Sequence, residues 1–216
     1  MFDIEETLRD SGINLILGVD EVGRGALISD VVVSCVILPA GHKIEGIKDS
    51  KKFTGPKAHE NRIKISKLIH ERALEVHIIS APAEVIDKIN ILEATKLCII
   101  TAISKCKIKP GMVIIDGDME FEDGEIMYPY MCVEKADSRS ENVAAASIVA
   151  KVHRDNHMLL LDKVYPQYGL AQHKGYGTKE HMEAILKYGP CELHRKSFSV
   201  KGRKIGSIKP SKQPHA

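Results

Sequence analysis

The chain lacks a long apolar run. None of its 216 residues lies in a stretch long enough to span a bilayer, which argues against a membrane-spanning helix and a membrane partner. Its first residues, Met1-Phe2-Asp3-Ile4-Glu5-Glu6, are acidic and lack the basic and apolar regions of a secretory leader, so a cytoplasmic location is expected. CxxC spacing is absent as well. The five cysteines (Cys35, Cys98, Cys106, Cys132, Cys191) read as reduced core thiols rather than as a zinc site or a disulfide framework. Internal repeats and low-complexity linkers are missing. So is any large excess of one charge: the formal net charge is +2, which by itself argues weakly for nucleic acid. What remains, 44% hydrophobic and 28% charged residues, is ordinary for a globular protein and enough for one domain with a real core.

The distribution of charge says more than its sum. From Arg195 to Lys212 there are seven Lys or Arg and no acid, whereas Asp116 to Glu125 holds six acids in ten residues. A basic end suits a phosphate backbone and an acidic centre suits cations. The basic end taken alone reads more simply as a solvated tail.

One segment stands out, Gly18-Val19-Asp20-Glu21-Val22-Gly23-Arg24-Gly25. The apolar run Ile13–Val19 reads as a buried strand that ends in two adjacent carboxylates. Neighbouring side chains in a strand point to opposite faces, so one carboxylate points into a covered face. A buried carboxylate needs a partner, and a metal ion is suited to that role. Gly23 and Gly25 free the backbone for close approach, and Arg24 between them suits a phosphate. A strand ending in a charged glycine turn is the simpler alternative.

Further along, Val31–Leu38 reads as a second strand, Lys57–Arg72 as a helix, Glu75–Ile79 as a third strand and Pro82–Cys106 as a long helix. Met112–Asp116 is a buried strand. Asp123-Gly124 signals a hairpin between Met119–Glu122 and Ile126–Val133. Ser140–Leu161 is an Ala-rich helix, and Thr178–Lys187 a helix capped by Thr178 and ended by Gly189-Pro190. Asp116 closes an apolar strand, and Asp137 precedes the Ala-rich helix. Carboxylates at neighbouring strand ends can converge, and four of them would hold two hard divalent ions. Asp116-Gly117 also reads as a turn, and Asp137 as a helix cap.

Several pieces recur in a known order. They are the Gly18–Gly25 segment, Asp49-Ser50-Lys51-Lys52, Asn90–Thr95, Ile115-Asp116-Gly117 and Lys135-Ala136-Asp137. Ala144–Lys151 with Arg154-Asp155, Tyr168–Thr178 and His194–Phe198 follow. In this order the chain resembles the bacterial-type ribonuclease HII family, from roughly Leu15 to Phe198. The resemblance implies an α/β, ribonuclease H-like fold: a five-stranded mixed sheet flanked by helices, with a helical C-terminal portion. A catalytic domain over residues 1–200 is expected, and the charge distribution predicts a basic, flexible tail over 201–216. The implied activity is cleavage of the RNA strand in RNA–DNA hybrids and incision at single ribonucleotides in duplex DNA, with Mn²⁺ or Mg²⁺ as cofactor. The family's catalytic, metal-holding carboxylates fall on Asp20, Glu21, Asp116 and Asp137. Its 2′-hydroxyl sensor falls on Gly23, Arg24 and Gly25, and its junction-reading tyrosine on Tyr176. Ser50, Lys51, Lys52 and Lys174 are expected to contact the nucleic acid, the lysines through phosphates. No obligate protein partner is evident, and a monomer is expected.

The chain departs from the family pattern after the glycine turn. It reads Ala26-Leu27-Ile28-Ser29-Asp30 where Pro, Leu, Ala, Gly and Pro are usual, which predicts a less rigid loop. A relative that cuts long hybrids but not single ribonucleotides would replace Arg24. A silent binding protein would not need the four acids, and a junction resolvase would lack the glycine–arginine sensor.

Overall fold

The central strand of the sheet is the one that ends in the paired acids. In the computed structural model, which describes residues 3–42, 44–47, 53, 55 and 57–211, β1 is Ile16–Val22 and β2 is Val31–Ile37. These two pair antiparallel, with Gly18 opposite Val36 and Asp20 opposite Ser34. On its other side β1 runs parallel to β4 (Met112–Asp116), with Val19 beside Ile115. β4 in turn runs parallel to β5 (Tyr130–Val133), and β3 (Glu75–Ala81) forms the opposite edge. The order is β3-β2-β1-β4-β5, a mixed sheet. β2 is buried along its whole length and the apolar part of β1 likewise, as their continuous runs of branched residues require.

The helices are α1 (Asp3–Asp10), α2 (Ala58–Arg72), α3 (Ala83–Ser104), α4 (Glu141–Val164), α5 (Leu170–His173) and α6 (Lys179–Tyr188). Among the described residues no helix is long and apolar enough to cross a membrane. The chain forms two compact units interleaved in sequence. Met1–Val22, Val32–Ile79 and Lys96–Val152 make the first; Gly23–Val31, Ser80–Thr95 and His153–Ala216 make the second.

In the first unit, Ala144, Ala145, Ala146, Ile148 and Val149 of α4 pack with Val36, Leu38, Ile65 and Ile69. The small residues let α4 come very close to the sheet. A Cβ added to Gly18 would lie 2.1 Å from the backbone carbon of Asn142, so only glycine fits there. The Asn142 side chain also accepts a hydrogen bond from the Leu38 amide at 2.6 Å. The start of α4 is held by the buried carboxylate of Glu5, which accepts from the Asn142 amide (2.8 Å) and the Ser140 hydroxyl (2.6 Å). A negative group suits a helix N-terminus.

In the second unit the core is Leu27, Ile28, Tyr168, Leu170, Ile185, Val200, Ile205 and Ile208. Thr178 caps α6 by accepting from the His181 amide, and Gly189 ends it.

Four expectations need correction. No hairpin forms at Asp123-Gly124: the turn is there, with Gly124 at φ +89°, but β5 pairs parallel to β4. The long third helix is broken at Asn90 (φ +68°), whose side chain accepts from the Leu92 and Glu93 amides and restarts the helix. The stretch after residue 200 is not a loose arm over its described part. Arg203–Lys204 (β7) pairs with Ser199–Val200 (β6), and Ile205 is buried. Finally, the loop from Ala26 to Ser29 is buried rather than slack.

Candidate active site

The sheet register brings two of the acids side by side. Val19 and Ile115 are neighbours across the parallel pair, so the next residues, Asp20 and Asp116, emerge side by side at the strand ends. Asp20 is only 6% exposed. It accepts from the Glu21 amide at 2.7 Å and from the Ser147 hydroxyl. Burial, and then the negative charges of Asp116 and Glu21, hold its carboxyl well above the usual carboxylate range. Asp116 Oδ1 accepts from the Ala136 amide at 2.6 Å. That bond ties the short 3-10 turn Ala136–Ser138, which carries Asp137, to the end of β4. All four predicted carboxylates thus belong to the first unit.

Among the described residues, no three His, Cys, Asp or Glu side chains stand close enough to make a ready-made metal cage. What fits a divalent cation is the donor set and its charge: hard carboxylate oxygens, with Asp20 disfavoured as an anion by its neighbours.

Two residues near Asp20 are absent from the sequence reading. Ser147 is the single polar residue in the run Ala144–Ala150, and that isolation was the signal that could have found it. Ser34 is 0% exposed and faces Asp20 across the β1–β2 pair, with no hydrogen-bond partner for its hydroxyl among the described residues. Its place on β2 is not legible without the register.

The glycine turn belongs to the second unit. Gly23 has φ +92°, and a Cβ there would lie 2.3 Å from Arg154 Nε, so its glycine serves the packing. Gly25 is different. It is exposed, its φ is ordinary, and a Cβ there would meet nothing within 4 Å. Among the described residues nothing requires a glycine there.

Two buried arginines pin the turn and the loop after it. Arg195 donates to the carbonyls of Arg24 (2.8 Å) and Ser29 (2.9 Å). Arg154 donates to those of Ile28, Asp30 and Lys174. Burial and then the Arg154 charge push Arg195 down to about 9. Tyr176 is half-buried, with the Arg154 guanidinium 5.4 Å from its ring centroid. Lys174 donates its Nζ to the Ala171 carbonyl. Ser50, Lys51 and Lys52 lie outside the described residues.

Residues 17–201 match the family model of ribonuclease HII. The chain belongs to the ribonuclease HII family. A ribonuclease HII of Alkaliphilus metalliredigens is 47% identical over 205 residues, covering 92% of this chain and 97% of that protein. The solved ribonuclease H2 from Pyrococcus horikoshii OT3 superposes with a TM-score of 0.74 at 26% identity, over 88% of this chain and 96% of that one. A Bst-RNase HIII in complex with Mn²⁺ shares the fold, with a TM-score of 0.62 at 21% identity over 80% and 60% of the two chains. Ribonucleases HII are hydrolases that cleave RNA in RNA–DNA hybrids, and this chain is an enzyme of that kind.

Proposed function

We propose that the chain incises duplex DNA 5′ of single embedded ribonucleotides, besides cutting the RNA strand of hybrids, and leaves 3′-hydroxyl and 5′-phosphate ends. The observation that carries the hydrolytic chemistry of this reading is Asp20, buried against two other carboxylates at the strand ends. Such a group is costly in a fold unless cations offset it. Asp20, Glu21, Asp116 and Asp137 would hold two divalent ions, Mg²⁺ or Mn²⁺. When bound, these supply an activated water and neutralise the leaving oxygen.

The protein's own residues do the rest. Ser147 and the Glu21 amide orient Asp20. The Ala136 amide holds Asp116. In the second unit, Gly25 leaves room for a ribose beside the backbone of the turn, where a 2′-hydroxyl separates RNA from DNA. Tyr176 stacks on the sugar that follows the ribonucleotide, where a further 2′-hydroxyl would clash.

The test is a duplex carrying one ribonucleotide, set beside a continuous hybrid. The parent cuts both in Mg²⁺ or Mn²⁺ and neither in EDTA. Asp116→Asn loses cleavage while still binding hybrid, because it removes charge and little volume. Tyr176→Ala loses roughly 1–3 kcal/mol of kcat/KM on the single ribonucleotide, the range for aromatic stacking, and less on the hybrid. Failure to cut the embedded ribonucleotide overturns the specificity. Near-parental turnover of Asp116→Asn removes that residue from the site.

A further inference from the structure

Three histidines of the second unit surround the turn that carries Tyr176, and their hydrogen bonds fix every ring proton. The Cys191 amide lies 3.0 Å from His194 Nδ1. An amide only donates, so Nδ1 is bare and the proton of neutral His194 sits on Nε2. That proton points at His181 Nε2, 3.3 Å away, which must therefore be bare. The proton of His181 then sits on Nδ1 and is donated to the Tyr176 carbonyl at 3.0 Å. By the same reasoning the Gly175 amide, 3.2 Å from His173 Nδ1, leaves His173 to donate from Nε2 to the Tyr168 carbonyl at 2.8 Å. The His173 and His181 rings stack at 4.5 Å and 16°. Two of the three imidazoles thus end on consecutive residues of one turn, at the Gly175 N–H and the Tyr176 C=O.

This pattern exists only with all three rings neutral. A second proton on His181 or His194 sets two N–H groups against each other, and a second proton on His173 faces the Gly175 amide. Ordinary core filling does not need it. His181 and His194 are fully buried, and an apolar side chain would occupy that space without polar cost.

We propose that His173, His181 and His194 are positioning residues, a relay of neutral imidazoles that holds the Gly175–Tyr176 turn and fixes the direction of the Tyr176 ring. The turn is held from its other side by Leu27, whose amide donates to the Gly175 carbonyl, and by Arg154, which donates to the Lys174 carbonyl. A ring fixed in this way meets a sugar without first being ordered, which raises selectivity at the junction. The proposal rests on the reading of Tyr176 as the residue that meets that sugar.

The titratable groups around the trio are Tyr168, Tyr176, Glu180, Cys191 and Glu192. The Tyr168 ring lies edge-on to His194 at 4.8 Å, and the Cys191 thiol is 3.2 Å from its Nδ1. Glu180 and Glu192 are exposed, and Glu192 favours protonation of His194. Burial opposes it more strongly: His181 is held down to about 4 and His194 to about 3.

The chain contains no tryptophan, so Tyr176→Trp creates a single tryptophan on the turn, excited apart from the tyrosines at the red edge of its absorption. In that background His181→Ala should lower the tryptophan anisotropy while far-UV circular dichroism stays unchanged. His181→Asn, whose amide can still donate to the residue 176 carbonyl, should restore it. With Tyr176 in place, His181→Ala should cut the preference for the embedded ribonucleotide over the hybrid by roughly fivefold, a fraction of what losing the stacked ring costs. Unchanged anisotropy in His181→Ala overturns the proposal. Lowered anisotropy with unchanged preference upholds the positioning role and overturns the reading of Tyr176. If His181→Ala does not fold, acid titration of Tyr176→Trp decides. A drop in anisotropy through about pH 4 that precedes loss of circular dichroism supports the relay, and one shared transition overturns it.

Discussion

Ser29 stands where the family pattern has glycine, and its backbone shows the consequence. Its φ is +65°, a conformation that costs a residue with a Cβ roughly 1–2 kcal/mol. It is held there from both sides, its amide donating to the Leu193 carbonyl (2.8 Å) and its own carbonyl accepting from Arg195 Nε (2.9 Å). Among the described residues its hydroxyl makes one long contact, 3.5 Å to Asp30, so little is lost with the side chain. Ser29→Gly should therefore stabilise the protein. The relief of strain exceeds the entropy that glycine adds to the unfolded chain, for a net gain of about 0.5–1 kcal/mol, read as a higher urea midpoint. Ala26→Pro should act the other way, because the Ala26 amide donates to the Gly23 carbonyl and proline has no such donor. The absent prolines thus do not leave a slack loop. Two arginines more than 120 residues away supply the constraint, and nothing local announces them.

At the scale of elements, the contact between α4 and β1 matters most to the site, since Ser147 lies on one and Asp20 on the other. Gly18→Ala would push a methyl into the backbone of Asn142 and Val143, not into the end of a flexible side chain. The helix must shift, at a cost of about 3 kcal/mol, near the upper end for overpacking. Activity should fall with stability because Ser147 moves away from Asp20. Normal stability in urea would show that the helix gives way freely. The elements themselves were largely legible. β1, β2 and β4 are apolar runs, and Asp20, Glu21 and Asp116 fall at their ends, while Asp137 lies on the 3-10 turn after β5. What was hidden depends on partners distant in sequence. Asp123-Gly124 makes its turn, but pairing with β4 decides how β5 lies. α1 shows Ile4 and Leu8 at helical spacing, yet the function of its Glu5 as an anchor for α4 appears only in three dimensions. Ile205 and Ile208 are two apolar residues in a basic stretch, too few for a pattern and enough for a contact.

The molecule as a whole should answer to acid through His181 and His194. Both have folded values below the unfolded one of 6.5, at about 4 and about 3. As pH falls below 6.5 the unfolded chain takes up protons that the folded chain refuses. Stability is complete above that pH and is lost on the way down, by roughly 1.4 kcal/mol per pH unit for each proton. Asp20 has the opposite sign: its raised folded value favours the folded state at low pH and offsets part of the loss. The urea midpoint should still fall between pH 7 and pH 5, and a midpoint unchanged over that interval would show that the imidazoles are hydrated. The interleaving of the two units bears on how the chain can be made and altered. Each unit draws on three separate segments, the first ending at Val152 and the second using everything described after it. Neither can be cut out as a continuous piece, transplanted as a module or lost by a simple deletion. During synthesis the first unit cannot close until Val152 has left the ribosome. By then the nascent chain already carries, unpaired, the Gly23–Val31 loop and the Ser80–Thr95 segment that await the final sixty or so residues.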